Sequence, residues 1–221
     1  MVSGSAPTEG FRHAMSLATF SASPPAIQQR TLTRLQAATK LGLNPAAIDK
    51  LVSAHALSTP IKAGEVAQLA GRQRLAVTSG ELTVLRTDSG WTPDPARTPA
   101  TETRTVAGFD THYNDADVAC ANLRWWRADA DRVLDNVLFA VTLGTVPVAV
   151  FAVDGRLASF RVAGESFERH SFSARLLARI QPGLVVKHWP GTPGHLQTRV
   201  RQIMDSTIKV DSGGPIGYLE P

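Results

Sequence analysis

Cysteine is nearly missing from this chain: Cys120 stands alone among 221 residues. A lone thiol closes no intramolecular disulfide and supplies no cysteine-based zinc centre, and its expected place is a small buried site. Long apolar runs are missing too. The longest are broken by Thr142, Gly144 and Pro147, so no stretch reaches the roughly 18 apolar residues that span a bilayer. A membrane partner is therefore excluded. Residues 1–20 lack the basic-then-apolar order of a secretory signal, which makes the cytoplasm the expected compartment. Several catalytic motifs are absent as well. Ser166 lies in Gly-Glu-Ser-Phe-Glu rather than GxSxG, no glycine-rich loop precedes a helix, and there is no HExxH. Among His13, His55, His170, His188 and His195 no two have the i, i+4 spacing of a helical zinc site. Common hydrolase and nucleotide-binding classes lose weight accordingly.

What is present is an ordinary apolar share, 43%, with a net charge of +4 and a pI near 9.6. The charge is unevenly placed. Asp88 to Asp135 holds nine acids and five bases, net −4, whereas Arg156 to Lys209 holds nine bases and three acids, net +6. Such segregation lays a basic face on a fold and aims it at phosphates.

Residues 1–24, rich in Ser, Ala, Pro, Gly and Thr, read as a flexible leader, native or tag-derived. Residues 25–88 read as a helical part followed by a β-hairpin. Leu32, Leu35, Ala38 and Leu41 recur at helical spacing before Gly42. Asn44-Pro45 supplies an N-cap and a first-turn proline for a second helix whose Ile48, Leu51, Val52 and His55 share a face. A third helix is expected over Glu65 to Ala70, stopped by Gly71. The period then changes to two, and RLAVTS and ELTVLRT flank Ser79-Gly80 as a hairpin. Residues 89–105, with three prolines, read as a linker or exposed loop. Residues 106–221 read as a β-rich domain: three strands between Val137 and Val162 with an Asp154-Gly155 turn, a helix over Ser173 to Ile180, a short strand over Leu184 to His188, a helix over Leu196 to Met204 and a closing strand over Pro215 to Leu219. The expected class is α+β, with a small mixed or antiparallel sheet or barrel at its C-terminal end.

Four groups of residues point to chemistry. Arg72, Gln73 and Arg74, between a short helix and the expected hairpin, resemble the start of a winged helix-turn-helix and would face DNA. Phe109 to Asp117 packs Asp110, His112, Asp115 and Asp117 into nine residues, an oxygen-rich set suited to Mg²⁺ in a nuclease. Arg124-Trp125-Trp126-Arg127 offers aromatic faces that stack unpaired bases, with flanking cations for the backbone. Arg169-His170 is a candidate general base with an electrostatic partner. Arg161, Arg169, Arg175 and Lys187 complete the expected basic face.

From Trp125 and Arg132, through VPVAVFAV, Arg169 and Phe172, to Gly214-Pro215-Ile216-Gly217-Tyr218, the order of residues over 124–221 resembles the β-rich C-terminal module of bacterial LEM-3-like GIY-YIG nuclease proteins. That module ends in Asn-Pro-(Ile/Val)-Arg-Tyr. No GIY…YIG strand pair precedes it here, so the resemblance implies an accessory fold that reads DNA or RNA and not the nuclease activity. The leading expectation is a DNA-binding protein of restriction, defence or mobile-element biology, with DNA as partner and a homodimer as the assembly considered. A metal-dependent nuclease or base-acting enzyme, and a protein-interaction module using Trp91 or Trp126, are the alternatives.

Overall fold

The computed structural model describes Met1, residues 30–211 and residues 213–221. The leader expected over 1–24 falls, after Met1, outside the described residues, as does His13.

The chain is α+β. Its helices are α1 (Arg34–Leu41), α2 (Pro45–Ser53), α3 (Ala63–Ala70), α4 (Asp115–Asn122), α5 (Ala130–Asp135) and α6 (Gly194–Met204). Two short strands, β1 (Thr31–Leu32) and β2 (Ile61–Lys62), pair beside the first helices. The others are β3 (Gln73–Arg74), β4 (Leu82–Thr87), β5 (Arg124–Arg127), β6 (Leu138–Leu143), β7 (Val146–Phe160), β8 (Arg169–Gln181), β9 (Val185–His188), β10 (Ser206–Thr207) and β11 (Ile216–Leu219).

Local chemistry starts and stops the helices, but not with the faces the spacing suggests: Leu32 lies in β1, Leu35 is exposed, and His55 falls beyond the end of α2. Thr33 and Gln36 form a reciprocal capping box at α1, and Gly42 ends it in the left-handed conformation at φ 62°. The Asn44 side chain accepts a hydrogen bond from the Ala47 N–H at 2.7 Å, and Pro45 opens α2. The apolar faces so oriented bury Ala37, Ala38, Ile48, Leu51, Val66 and Leu69.

Seven strands form one mixed sheet in the order β11-β4-β6-β7-β8-β5, with β9 also on β8. Its middle is buried on both faces, since every residue of β6 and the first seven of β7 are buried; this is why they read as largely apolar runs rather than alternating ones. Beyond Val153, β7 and β8 continue as a ribbon whose outer positions are exposed. β4 and β6 are parallel neighbours. Parallel neighbours need a long crossover, and residues 88–137 provide it, carrying α4, β5, α5 and the loops around them.

Three local expectations give way to tertiary pairing. The strands flanking Ser79-Gly80 form no hairpin: β3 pairs in parallel with β10, and β4 lies between β11 and β6. No wing therefore follows α3. Asp154-Gly155 is not a turn but part of a bulge inside β7, where the register shifts between Val153 and Gly155. The turn between β6 and β7 falls at Gly144, φ 61°. Ser173 to Ile180 is strand rather than helix, because pairing with β7 outweighs the helix preference of its Ala, Leu and Arg. The segment 89–105 is tied to the fold, with Ser89 bridging to Phe109 and Trp91 to Ala107. Segments 25–88 and 106–221 thus contribute strands to a single sheet and residues to a single core.

Candidate functional site

The crossover places two groups of chemically active side chains at separate points of the surface. The first is a cleft of about 400 Å³ lined by Trp91, Trp125, Trp126 and the arginines Arg97, Arg104, Arg124, Arg127 and Arg169.

Its shape begins with β5. In a regular strand Trp125 and Trp126 would face opposite sides of the sheet. Here the register with β8 shifts between Arg124 and Trp126, and Trp125 takes φ 62°. This bulge turns both indoles toward one cleft. Trp91 reaches the same cleft from the crossover by lying over Gly108, where a Cβ would stand 2.4 Å from the indole. Only glycine leaves room for it, and Gly108 also has φ 78°.

Against Trp125 lies Glu102, whose side chain is 4% exposed. One carboxylate oxygen accepts from the backbone N–H groups of Thr103 and Arg104, both at 2.9 Å, and from Arg124 Nη1 at 3.1 Å. The other accepts from the Trp125 indole N–H. Burial alone would raise this carboxyl's pKa. The hydrogen bonds from Arg104 N–H and the Trp125 indole, with the charges of Arg104 and Arg124, outweigh it and hold the group below the usual carboxylate range. Burial conversely lowers the Arg104 guanidinium, partly offset by Glu102. Arg97 and Arg169 share Glu165, at 3.0 and 2.8 Å. Arg127 stacks on the Phe167 ring at 3.9 Å and has no carboxylate partner among the described residues. Five arginines thus line the cleft against three carboxylates, Asp94, Glu102 and Glu165, and the cleft keeps positive charge.

The second group is His55, Asp110 and His112, whose potential ligand atoms all lie within 4.8 Å of one another. His55 Nδ1 stands 3.1 and 3.0 Å from the two Asp110 oxygens, and His112 Nδ1 stands 3.2 Å from Oδ1. His55 occupies the left-handed position just after α2, at φ 55°. The Asp110 loop is fastened from below: Thr111 N–H donates to the Ala54 carbonyl at 3.0 Å, and Thr111 Oγ1 donates to the His55 carbonyl at 3.2 Å. Arg179, buried in β8, donates to the carbonyls of Thr111 at 2.6 Å and Tyr113 at 2.5 Å. A cavity of about 580 Å³ adjoins this group, lined by Ser58, Thr59, Lys62, His55 and His112 among others.

Of the expected metal set, Asp110 and His112 therefore come together, but with His55 as third member. Asp115 instead pairs with Arg179 and Lys187, at 3.2 and 3.3 Å. Asp117 faces the cap of α4, where Asn114 Nδ2 donates to it at 2.7 Å. The signal for His55 was its position, since α2 ends without the glycine that normally takes the left-handed residue.

Arg169 and His170 do not act as a pair. Alternation along β8 sends them to opposite faces: Arg169 joins the cleft, and the buried His170 shares a hydrogen bond with Ser159 Oγ at 2.9 Å. Burial lowers the His170 pKa, and Arg156 adds to this. The expected basic face is largely matched by acids. Arg161 pairs with Glu168 at 3.7 Å, Arg175 with Asp154 at 3.2 Å and Lys187 with Asp115. Half-buried Arg72 and exposed Arg74 sit at the separate β3–β10 pair, and burial lowers the Arg72 pKa against the opposing effect of Asp205. No described helix is long and apolar enough to cross a membrane.

The chain matches no family model, no curated protein and no solved structure.

Proposed function

We propose that the protein binds single-stranded nucleic acid in the Arg–Trp cleft, a base entering among Trp91, Trp125 and Trp126 while Arg127, which no carboxylate neutralises among the described residues, holds the adjoining phosphate. The observation that supports this most is the convergence of three indoles and five arginines on one opening. Stacking contributes about 1–3 kcal/mol per base and tolerates any sequence. The cleft's volume suits one or two nucleotides rather than a duplex. Duplex binding would need an open basic face, and the cations nominated for one are mostly ion-paired.

The test is a titration of the protein with an oligothymidylate, followed by quenching of tryptophan fluorescence. Affinity should exceed that for a duplex and fall with salt. Arg127→Ala should lower the salt slope by about 0.7, the value for one single-strand phosphate contact. Trp91→Ala should weaken binding by about 1–3 kcal/mol. No quenching at low salt, or equal affinity for duplex, would remove the reading.

A further inference from the structure

We infer that His55, Asp110 and His112 form a binding site for a divalent first-row transition-metal ion, with its remaining coordination positions turned to the adjoining cavity. The site shares no lining residue with the Arg–Trp cleft and stands independently of it.

Spacing is the first support. Imidazole nitrogen and carboxylate oxygen bind such ions at about 2.0–2.2 Å, which sets neighbouring ligand atoms about 3.0–3.5 Å apart. The contacts of 3.0, 3.1 and 3.2 Å between the imidazoles and Asp110 fall in that range. The rings of His55 and His112 meet edge to face at 4.3 Å between centroids, and the potential ligand atoms of all three residues lie within 4.8 Å of one another.

Backbone placement is the second support. α2 ends in a Schellman turn: the His55 N–H donates to the Val52 carbonyl at 3.0 Å and the Ala56 N–H to the Leu51 carbonyl at 2.9 Å. Glycine is the favoured residue at the position His55 holds. A histidine there accepts a conformational cost, as residues at functional sites commonly do.

Pre-organisation is the third. The buried guanidinium of Arg179 binds the carbonyls on either side of His112, and Thr111 ties the same loop to the end of α2. The ligands are held before an ion arrives, as outer-shell contacts hold them in metal proteins.

Two imidazoles and one carboxylate select against Mg²⁺ and Ca²⁺, which take oxygen ligands, and favour the Co²⁺, Ni²⁺, Zn²⁺ and Fe²⁺ class. Three protein ligands leave positions for water or a substrate group, and Ser58, Thr59 and Lys62 line the space beyond.

The experiment titrates the full chain with Co²⁺, reading the visible absorption of the bound ion, once without Mg²⁺ and once with Mg²⁺ in excess. The expected result is saturation at a single equivalent, with displacement by Zn²⁺. His55→Gly and Asp110→Asn should each weaken binding by more than the roughly 10–100-fold that loss of an outer-shell partner causes. His55→Gly puts the favoured residue into the turn, so it keeps the fold while removing a ligand; circular dichroism verifies this for both variants. No saturable Co²⁺ absorption, abolition of it by Mg²⁺, or undiminished binding in either variant would overturn the site.

Discussion

Helices α1 and α2 end in the same turn built from different residues. At α1 the left-handed position is Gly42, and the Leu43 N–H closes the turn on the Ala38 carbonyl at 3.0 Å. At α2 the position is His55, with the corresponding bond from Ala56 to Leu51 at 2.9 Å. Gly42 is exposed and nothing lies near the Cβ it lacks. Its conformation is a local matter. His55 is held by a carboxylate from a distant loop, and Trp125, also left-handed, is held by another, Glu102. The contrast separates backbone geometry that the sequence supplies locally from geometry that tertiary contacts impose; of the three non-glycine residues at positive φ among the described residues, His55 and Trp125 lie at candidate sites, and the buried Leu184 does not.

The strongest way to break the contrast is to remove a carboxylate. Glu102→Ala leaves Arg104 buried and Arg124 partly buried without their counter-charge, and frees the indole that keeps Trp125 in place. Losing one partner of a buried ion pair costs about 3–5 kcal/mol; because Arg124 is partly exposed, the low end is expected. In a chain of this length about 3 kcal/mol corresponds to a fall in Tm of roughly 6–12 °C. A thermal melt that moves by less than a degree would mean that Trp125 needs no holding.

The same carboxylate gives a smaller, pH-dependent effect. Its folded pKa lies below the unfolded value of about 4.3. Its ionisation therefore contributes stability that is present above about pH 4.3 and lost as pH falls through the folded value. Glu102→Gln should be less stable than the parent at neutral pH, and the gap should narrow progressively below about pH 4.3 in denaturant midpoints. Glu165 and Glu81, also held low by hydrogen bonds from Arg169 and Arg132, keep part of the acid sensitivity in the variant.

What was legible in the sequence follows the same division. Gly42 and Asn44-Pro45 act within a turn of their own position, so the end of α1 and the start of α2 could be read directly, as could α6 and β11, whereas Leu32 was drawn from the expected helix into β1 by its pairing with Ile61. β8 could not, because the strand preference of Ser173 to Ile180 comes from β7 and not from its own residues. The hairpin at Ser79-Gly80 failed similarly: β4 is claimed by β6 and β11, far along the chain. Within the cleft, Trp125, Trp126 and Arg169 were visible as residue types. Glu102, in a stretch of threonines and prolines, was not, because Arg124 and Trp125, the partners that tie it to the cleft, lie more than 20 positions away. Asp110 and His112 were visible as a local cluster, but their third member stands 55 positions from Asp110.

The finest test compares the two helix ends directly. Gly42→Ala places a Cβ in the left-handed region and should cost about 1 kcal/mol. His55→Ala keeps that conformational cost and loses the bond to Asp110, which in an exposed setting is worth about 0.5–1.5 kcal/mol. His55→Gly loses the same bond but removes the cost, so it should lie close to the parent protein in the absence of added metal. The difference between the two His55 variants isolates the backbone, and it should equal the Gly42→Ala value within a few tenths of a kcal/mol in denaturant titrations. If His55→Ala and His55→Gly proved equally stable, the left-handed turn after α2 would carry no cost. Histidine at that position would then need no explanation beyond its hydrogen bond.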